Sequence, residues 1–401
     1  MGPRLLRTLL LGGCIALAIY GLKCVDGRRA RQCLDVVATT SAGSLGLQGV
    51  AGLALSPDFQ HLYVLAYRGD SLAVYCPDLG SGEFELLEVH QGGEKGLQGL
   101  RGGDLIVPSP DGRFVYAACA KSHMLVTFAR NPQSGLLTYV AAVGGLTAGD
   151  EVMQGASCVA VSPNGRHVYV SANLGNSVVV FQIDSNTGTP VFLEAHREGE
   201  NGVAGLSGAY SVLVSADGRH VYVSAYHDKA ITVFKRDSKS GRLSLIASAR
   251  NGRAGVEGLD GVVGLHECRE GTFLYAASEK DNAVVVFARD VETGVLSYIE
   301  SHRPNKEGNP PLQGAALLAG FPGTHLLLVT ALVGNSITAF RRDPESGTLS
   351  FLDAVIADSK EAAGLRGAYG IAVDPVNSVV YVGGYEANAL TALRLNKAYA
   401  R

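Results

Sequence analysis

Residues 206–258, LSGAYSVLVSADGRHVYVSAYHDKAITVFKRDSKSGRLSLIASARNGRAGVEG, recur in variant form along almost the whole chain. Laid against itself, the sequence puts Leu47, Leu100, Met153, Leu206, Leu259, Leu312 and Leu365 in one column at a constant spacing of 53 residues. Two positions further on, Gly49, Gly102, Gly155, Gly208, Gly261, Gly314 and Gly367 form a column without exception, as expected where the backbone needs a positive φ or a close approach. Tyr63, Tyr116, Tyr169, Tyr222, Tyr275 and Tyr381 share a third column, broken by Leu328, and read as packing positions.

Within a copy, SVLVS, HVYVSAY, AITVFKR and LSLIASA are short, rich in Val and aromatics, and separated by turn residues, so they read as strands a to d. Ser109-Pro110-Asp111-Gly112, Ser162-Pro163-Asn164-Gly165 and their equivalent at 215–218 suit a type I turn between a and b. Residues 237–241 begin with Asp and end with Gly, and the same pair recurs at Asp184 and Gly188 and at Asp290 and Gly294. The acid can bond the turn backbone and the glycine supply a left-handed residue between c and d. Seven such meanders define an all-β chain, a seven-bladed β-propeller of four-stranded antiparallel blades spanning residues 34–396. The last copy ends after strand c, whereas LDVVATTSAG at 34–43 matches strand d. The N-terminal strand is therefore expected to complete blade 7 and close the ring.

Composition agrees with strands buried on both faces: hydrophobic residues make up 47% and charged residues 18%, with 51 glycines. A net charge of −3 gives no basic footprint, so nucleic acid is not an expected partner. The absence of tryptophan excludes the Trp-Asp repeat class. Arg4 and Arg7 precede an apolar run at 8–22, so residues 1–22 read as a signal peptide, with an uncleaved membrane tether as the alternative. Export to a secreted or periplasmic location follows. Six cysteines would remain; Cys119 and Cys158 are expected to be buried and unbridged, and Cys24 and Cys33 form the one local pair.

The run S-P-D/N-G-R-x-V-Y-V-S-A at 162–172, nearly repeated at 215–225 and followed by V-x-V-F-x-R-D, resembles the seven-bladed lactonase-like propellers. This superfamily includes 6-phosphogluconolactonase and propellers with Tyr-Val-Thr-Asn repeats. The resemblance implies the fold, and as an activity the metal-independent hydrolysis of a lactone. Its enzymes carry a Gly-x-His-x-Arg-His type stretch and His, Arg and Glu in the central channel. No such stretch occurs here, so no catalytic residue is carried over.

Columns that vary between blades are not dictated by the blade, and those at the channel mouth carry the candidate site. After strand b they read Tyr67-Arg68, Ala120-Lys121, Asn173-Leu174, Tyr226-His227, Glu279-Lys280, Leu332-Val333 and Tyr385-Glu386; before and within strand a lie Arg101, Asp104, Tyr210, Asp260, Arg366 and Tyr369. Blades 7, 1 and 2 are neighbours in a closed ring. They would gather Arg68, Arg101, Lys121 and Arg366 beside Tyr67, Tyr369 and Tyr385, a ligand-binding set suited to a carboxylate or phosphate. The leading expectation is an exported monomeric scaffold that binds a small anion, a glycan or a protein at this mouth, with no cofactor. The alternative is a lactone hydrolase whose acid or base is Asp104, His227 or Glu386. The histidines show no metal-ligand spacing, and His196 and His302, which share a column, are expected to face solvent.

Overall fold

The computed structural model describes residues 32–40, 46–78, 83–94, 96–144 and 150–399. The signal or anchor expected at 1–22, and Cys24, lie outside them. Twenty-eight strands, β1 to β28, form seven four-stranded antiparallel sheets. Blade 4 is β14 (Ala209–Val214), β15 (His220–Ala225), β16 (Ala230–Arg236) and β17 (Leu243–Arg250), which are strands a to d of the repeat. Five other blades repeat this order. In blade 7, β26 (Ala368–Asp374), β27 (Val379–Gly384) and β28 (Ala389–Leu395) pair in sequence, and β1 (Leu34–Thr40) pairs antiparallel with β28, Leu34 opposite Leu395. The ring closes as the repeat arithmetic requires.

Strand b is buried throughout each blade because neighbouring sheets cover both its faces, whereas strand d is exposed or half-buried along almost its whole length. Both expected turns form. Gly218 N–H donates to Ser215 O (2.8 Å), and Asp237 Oδ1 accepts from the amides of Lys239 (3.0 Å) and Ser240 (2.7 Å) while Gly241 sits at φ +76°.

The tyrosine column joins blades as well as filling them. Tyr169 donates to Gly241 O in the next blade (2.8 Å), and Tyr63, Tyr116, Tyr222 and Tyr275 repeat the bond. Arginines at the end of strand c reach back across the same interface. Arg289 donates to the Tyr222 hydroxyl (2.7 Å), Gly271 O (2.7 Å) and Asp217 (2.8 Å).

One expectation fails on the outer strand. His196 and His302 are half-buried; their rings pack at a tilt against Phe234 and Phe340 of the following blade, with centroids 5.3 and 5.6 Å apart. Each Nε2 meets the glutamate two residues earlier, Glu194 (3.2 Å) and Glu300 (2.8 Å), and those carboxylates accept the amides of Leu243 and Leu349. Residues with the period-2 register of a strand still face a neighbour when another sheet lies against that side. Cys119 and Cys158 are buried free thiols, and Cys33 is a buried thiol as well.

Candidate active site in the central channel

Strand a of each blade lines the axis, entering from the mouth. The glycine two residues after each lead position sets its entry. Gly208 has φ +71°, a Cβ there would lie 2.7 Å from the His227 ring, and its N–H donates to Asn176 Oδ1 of the preceding blade (2.7 Å). Both reasons for glycine, the left-handed backbone and the close approach, therefore apply.

Two residues further in, the column reads Ala51, Asp104, Ser157, Tyr210, Val263, Ala316 and Tyr369. Its three largest polar members come from blades 2, 4 and 7 and meet across the channel. The Tyr210 and Tyr369 hydroxyls are 2.7 Å apart, and the Tyr210 hydroxyl donates to Asp104 Oδ2 at 3.4 Å. Asp104 is 6% exposed. Burial penalises its charge more than the two phenols stabilise it, and pushes its pKa up to about 7. Both phenols are held well above their usual range, by burial first and by the Asp104 charge second. Two hydroxyls of blade 3 fix the backbone carrying Tyr210, since Ser157 on strand a and Ser171 on strand b both donate to its carbonyl oxygen (2.8 and 2.6 Å).

Toward the mouth, the first residue after strand b is half-buried in every blade and the second is exposed in every blade. Inward therefore point Tyr67, Asn173, Tyr226, Glu279 and Tyr385. Tyr67 and Tyr385 tilt together at 6.3 Å, and the Asp104 charge, after burial, raises the Tyr67 pKa. Outward point Arg68, Lys121, His227 and Glu386. The Arg68 guanidinium lies 4.3 Å from the centre of the Tyr385 ring, and Lys121 Nζ bonds Tyr67 O (2.7 Å) and Asp70 (3.0 Å) and sits over the Tyr67 ring.

Of the residues singled out from the sequence, Asp104 and Tyr369 converge on the axis, and Tyr67 and Tyr385 stand above them. Arg101 is exposed with Asp70 3.8 Å away, and Arg366 is exposed. His227 and Glu386 cover Gly208 and Gly367 from outside. Tyr210 completes the cluster. Its column was in view, but neighbourhood in the ring does not reveal side chains that meet across the axis. Among the described residues no group of three His, Cys, Asp or Glu is placed to hold a metal ion.

Seven four-stranded antiparallel blades make this a seven-bladed β-propeller, with the Asp104 carboxylate buried at its axis beside the Tyr210 hydroxyl. The chain is a member of the lactonase, seven-bladed β-propeller family, whose model matches residues 23–148 and 159–310. It is 24% identical over 219 residues to the 6-phosphogluconolactonase of Pectobacterium carotovorum, covering 54% of this chain and 61% of that one. It is 28% identical over 143 residues to the 6-phosphogluconolactonase of Bacillus subtilis, covering 36% and 39%. The chain thus spans less than two-thirds of these relatives' lengths. The periplasmic gluconolactonase PpgL of Pseudomonas aeruginosa superposes with a TM-score of 0.62 at 22% identity, over 76% of this chain and 85% of that one, a likeness of fold. Family membership favours the hydrolase alternative over the binding scaffold expected first.

Proposed function

We propose that the protein hydrolyses a lactone at the channel axis, with Asp104 as general base. The observation that carries this reading is the buried carboxylate of Asp104, poised to ionise near neutral pH with two phenols converging on it. Ionised Asp104 takes a proton from water as the water oxygen attacks the lactone carbonyl carbon. A phenol, Tyr210 or Tyr369, donates a hydrogen bond to the carbonyl oxygen as it gains negative charge. When the tetrahedral centre collapses, the ring C–O bond breaks, and the proton held by Asp104 passes to the departing ring oxygen, giving an open hydroxy acid. Tyr67 and Tyr385 supply ring faces above the reacting group.

Titration of the acid released from five- and six-membered aldonolactones tests the reading. Saturable hydrolysis above the buffer rate is expected, with kcat about 10²–10⁴ lower in Asp104→Asn and about tenfold or more lower in Tyr369→Phe. No hydrolysis above buffer across the series would overturn it.

A further inference from the structure

The wall between the mouth and Asp104 has a charge pattern of its own. Of the seven half-buried residues after strand b, three are tyrosines, Ala120 and Leu332 are apolar, one is Asn173, and Glu279 is the one that bears a charge. Glu279 is half-buried beside Tyr226, whose pKa is raised by burial and then by the Glu279 charge; the same charge reaches Tyr210 on the channel floor. The cations of the outward column are engaged there, while Arg101 and Arg366, which precede strand a, are exposed. Arg68 lies on the Tyr385 ring, Lys121 is held by Asp70 and Tyr67, and the Lys280 ammonium sits 4.4 Å from the centre of the Tyr226 ring. A ligand whose carbonyl reaches Tyr210 and Tyr369 therefore extends its remaining atoms past phenols, an amide and a second carboxylate. Such groups accept and donate hydrogen bonds to hydroxyls, and the two carboxylates repel an anionic substituent inside walls of low dielectric.

We propose that the lactone taken by this site is an uncharged polyhydroxylated one, and that Glu279 is the residue that turns its phosphorylated counterpart away. The proposal rests on the hydrolase reading, and it sets this chain apart from the relatives named for a phosphorylated lactone. Glu279 acts on selection between substrates; the bond-breaking groups remain those on the floor.

The experiment measures kcat/KM for glucono-1,5-lactone and for its 6-phosphate in the wild-type protein and in Glu279→Gln, with folding of the variant checked by its thermal melt. The wild type is expected to favour the uncharged lactone by about tenfold or more, and the variant to narrow that ratio by gaining rate on the phosphate ester. Raising the salt to about 1 M, where the Debye length falls to about 3 Å, should narrow the wild-type ratio too, which tests the electrostatic origin without any substitution. A wild-type preference for the phosphate ester, or a ratio that neither Glu279→Gln nor salt alters, overturns the proposal and leaves the hydrolase reading standing. Hydrolysis of neither lactone overturns that reading and this proposal with it.

Discussion

Asp104 links the site to the stability of the fold, because burial makes its carboxylate less stable there than in water. Its folded pKa of about 7 lies above the ordinary carboxyl value of 3.8, with burial as the leading cause. Below pH about 4 the carboxyl is neutral in both folded and unfolded chains and costs nothing. As pH rises from about 4 to about 7 the unfolded chain ionises first, so folding stability falls across that window and stays reduced above it. Asp104→Asn removes the charge that burial penalises. It should therefore unfold at higher denaturant than wild type at pH 8, by on the order of 3 kcal/mol, with the gap closing near pH 4. An advantage of equal size at both pH values would show that something other than ionisation sets it. Activity runs the other way, rising with pH through about 7 as the base form appears. The sequence showed Asp104 and Tyr369 as entries that the blade does not require. It did not show that Tyr210 meets them, because contact across an axis depends on channel width, and the repeat period carries no information about width. The charged residues one step after Tyr67, Ala120 and Tyr385 are the exposed ones, since alternation along the chain sends adjacent residues to opposite sides, and Arg68, Lys121 and Glu386 take the outer one.

At the scale of strands, the blade interfaces are not equivalent although their scaffold is. The end of strand c carries Arg130, Arg236, Arg289 and Arg342 in blades 2, 4, 5 and 6, but Pro77, Ile183 and Leu395 in blades 1, 3 and 7. Arg289 is nearly fully buried and satisfies Tyr222, Gly271 and Asp217 in one fork, with Glu267 at 3.3 Å. Hydrogen bonding to Ser215, Arg219 and Arg289 outweighs the burial of Asp217 and brings its pKa down to about 2. Replacing such an arginine leaves buried acceptors without a donor, which costs more than trimming an apolar neighbour. Arg289→Met should lower unfolding stability by about 3 kcal/mol or more in urea at pH 7, whereas Ile183→Val at the corresponding position of blade 3 should cost about 1 kcal/mol. The Asp217 contribution is present above its unfolded value near 4 and disappears as pH falls through about 2, so the deficit of the methionine variant should shrink in acid. Equal losses in the two variants would mean that the fork adds nothing beyond packing. The strands and turns here were legible from the 53-residue columns, since each turn type has its own residues. The packing of His196 and His302 was not, because a half-polar strand facing solvent and one facing a neighbouring blade share the same alternation.

Over the whole molecule, ring closure is the one feature that depends on residues far apart in the chain, and the repeat arithmetic exposes it because strand d is missing from the last copy and present before the first. Leu34 is buried and pairs with Leu395, Asn396 N–H donates to Cys33 O (2.9 Å), and Cys33 N–H donates to Asp353 Oδ2 in blade 6 (2.7 Å). Cys33 and Leu34 also join the apolar cluster between blades 6 and 7, against Leu326, Leu328 and Leu393. A chain that starts at residue 46 therefore loses both the hydrogen-bond partner of β28 and the apolar cover of that cluster. Its exposed edge would offer unpaired amides and carbonyls to another copy. Such a chain should aggregate or melt over a broad range where the full chain melts sharply. A synthetic peptide of residues 32–42 added in excess should restore part of the sharp transition, because it supplies the same strand from outside and stabilises the ring by mass action. A truncated chain with the melting temperature and cooperativity of the full one would show that three strands suffice for blade 7, and that β1 decorates a ring already held together by the contacts between blades.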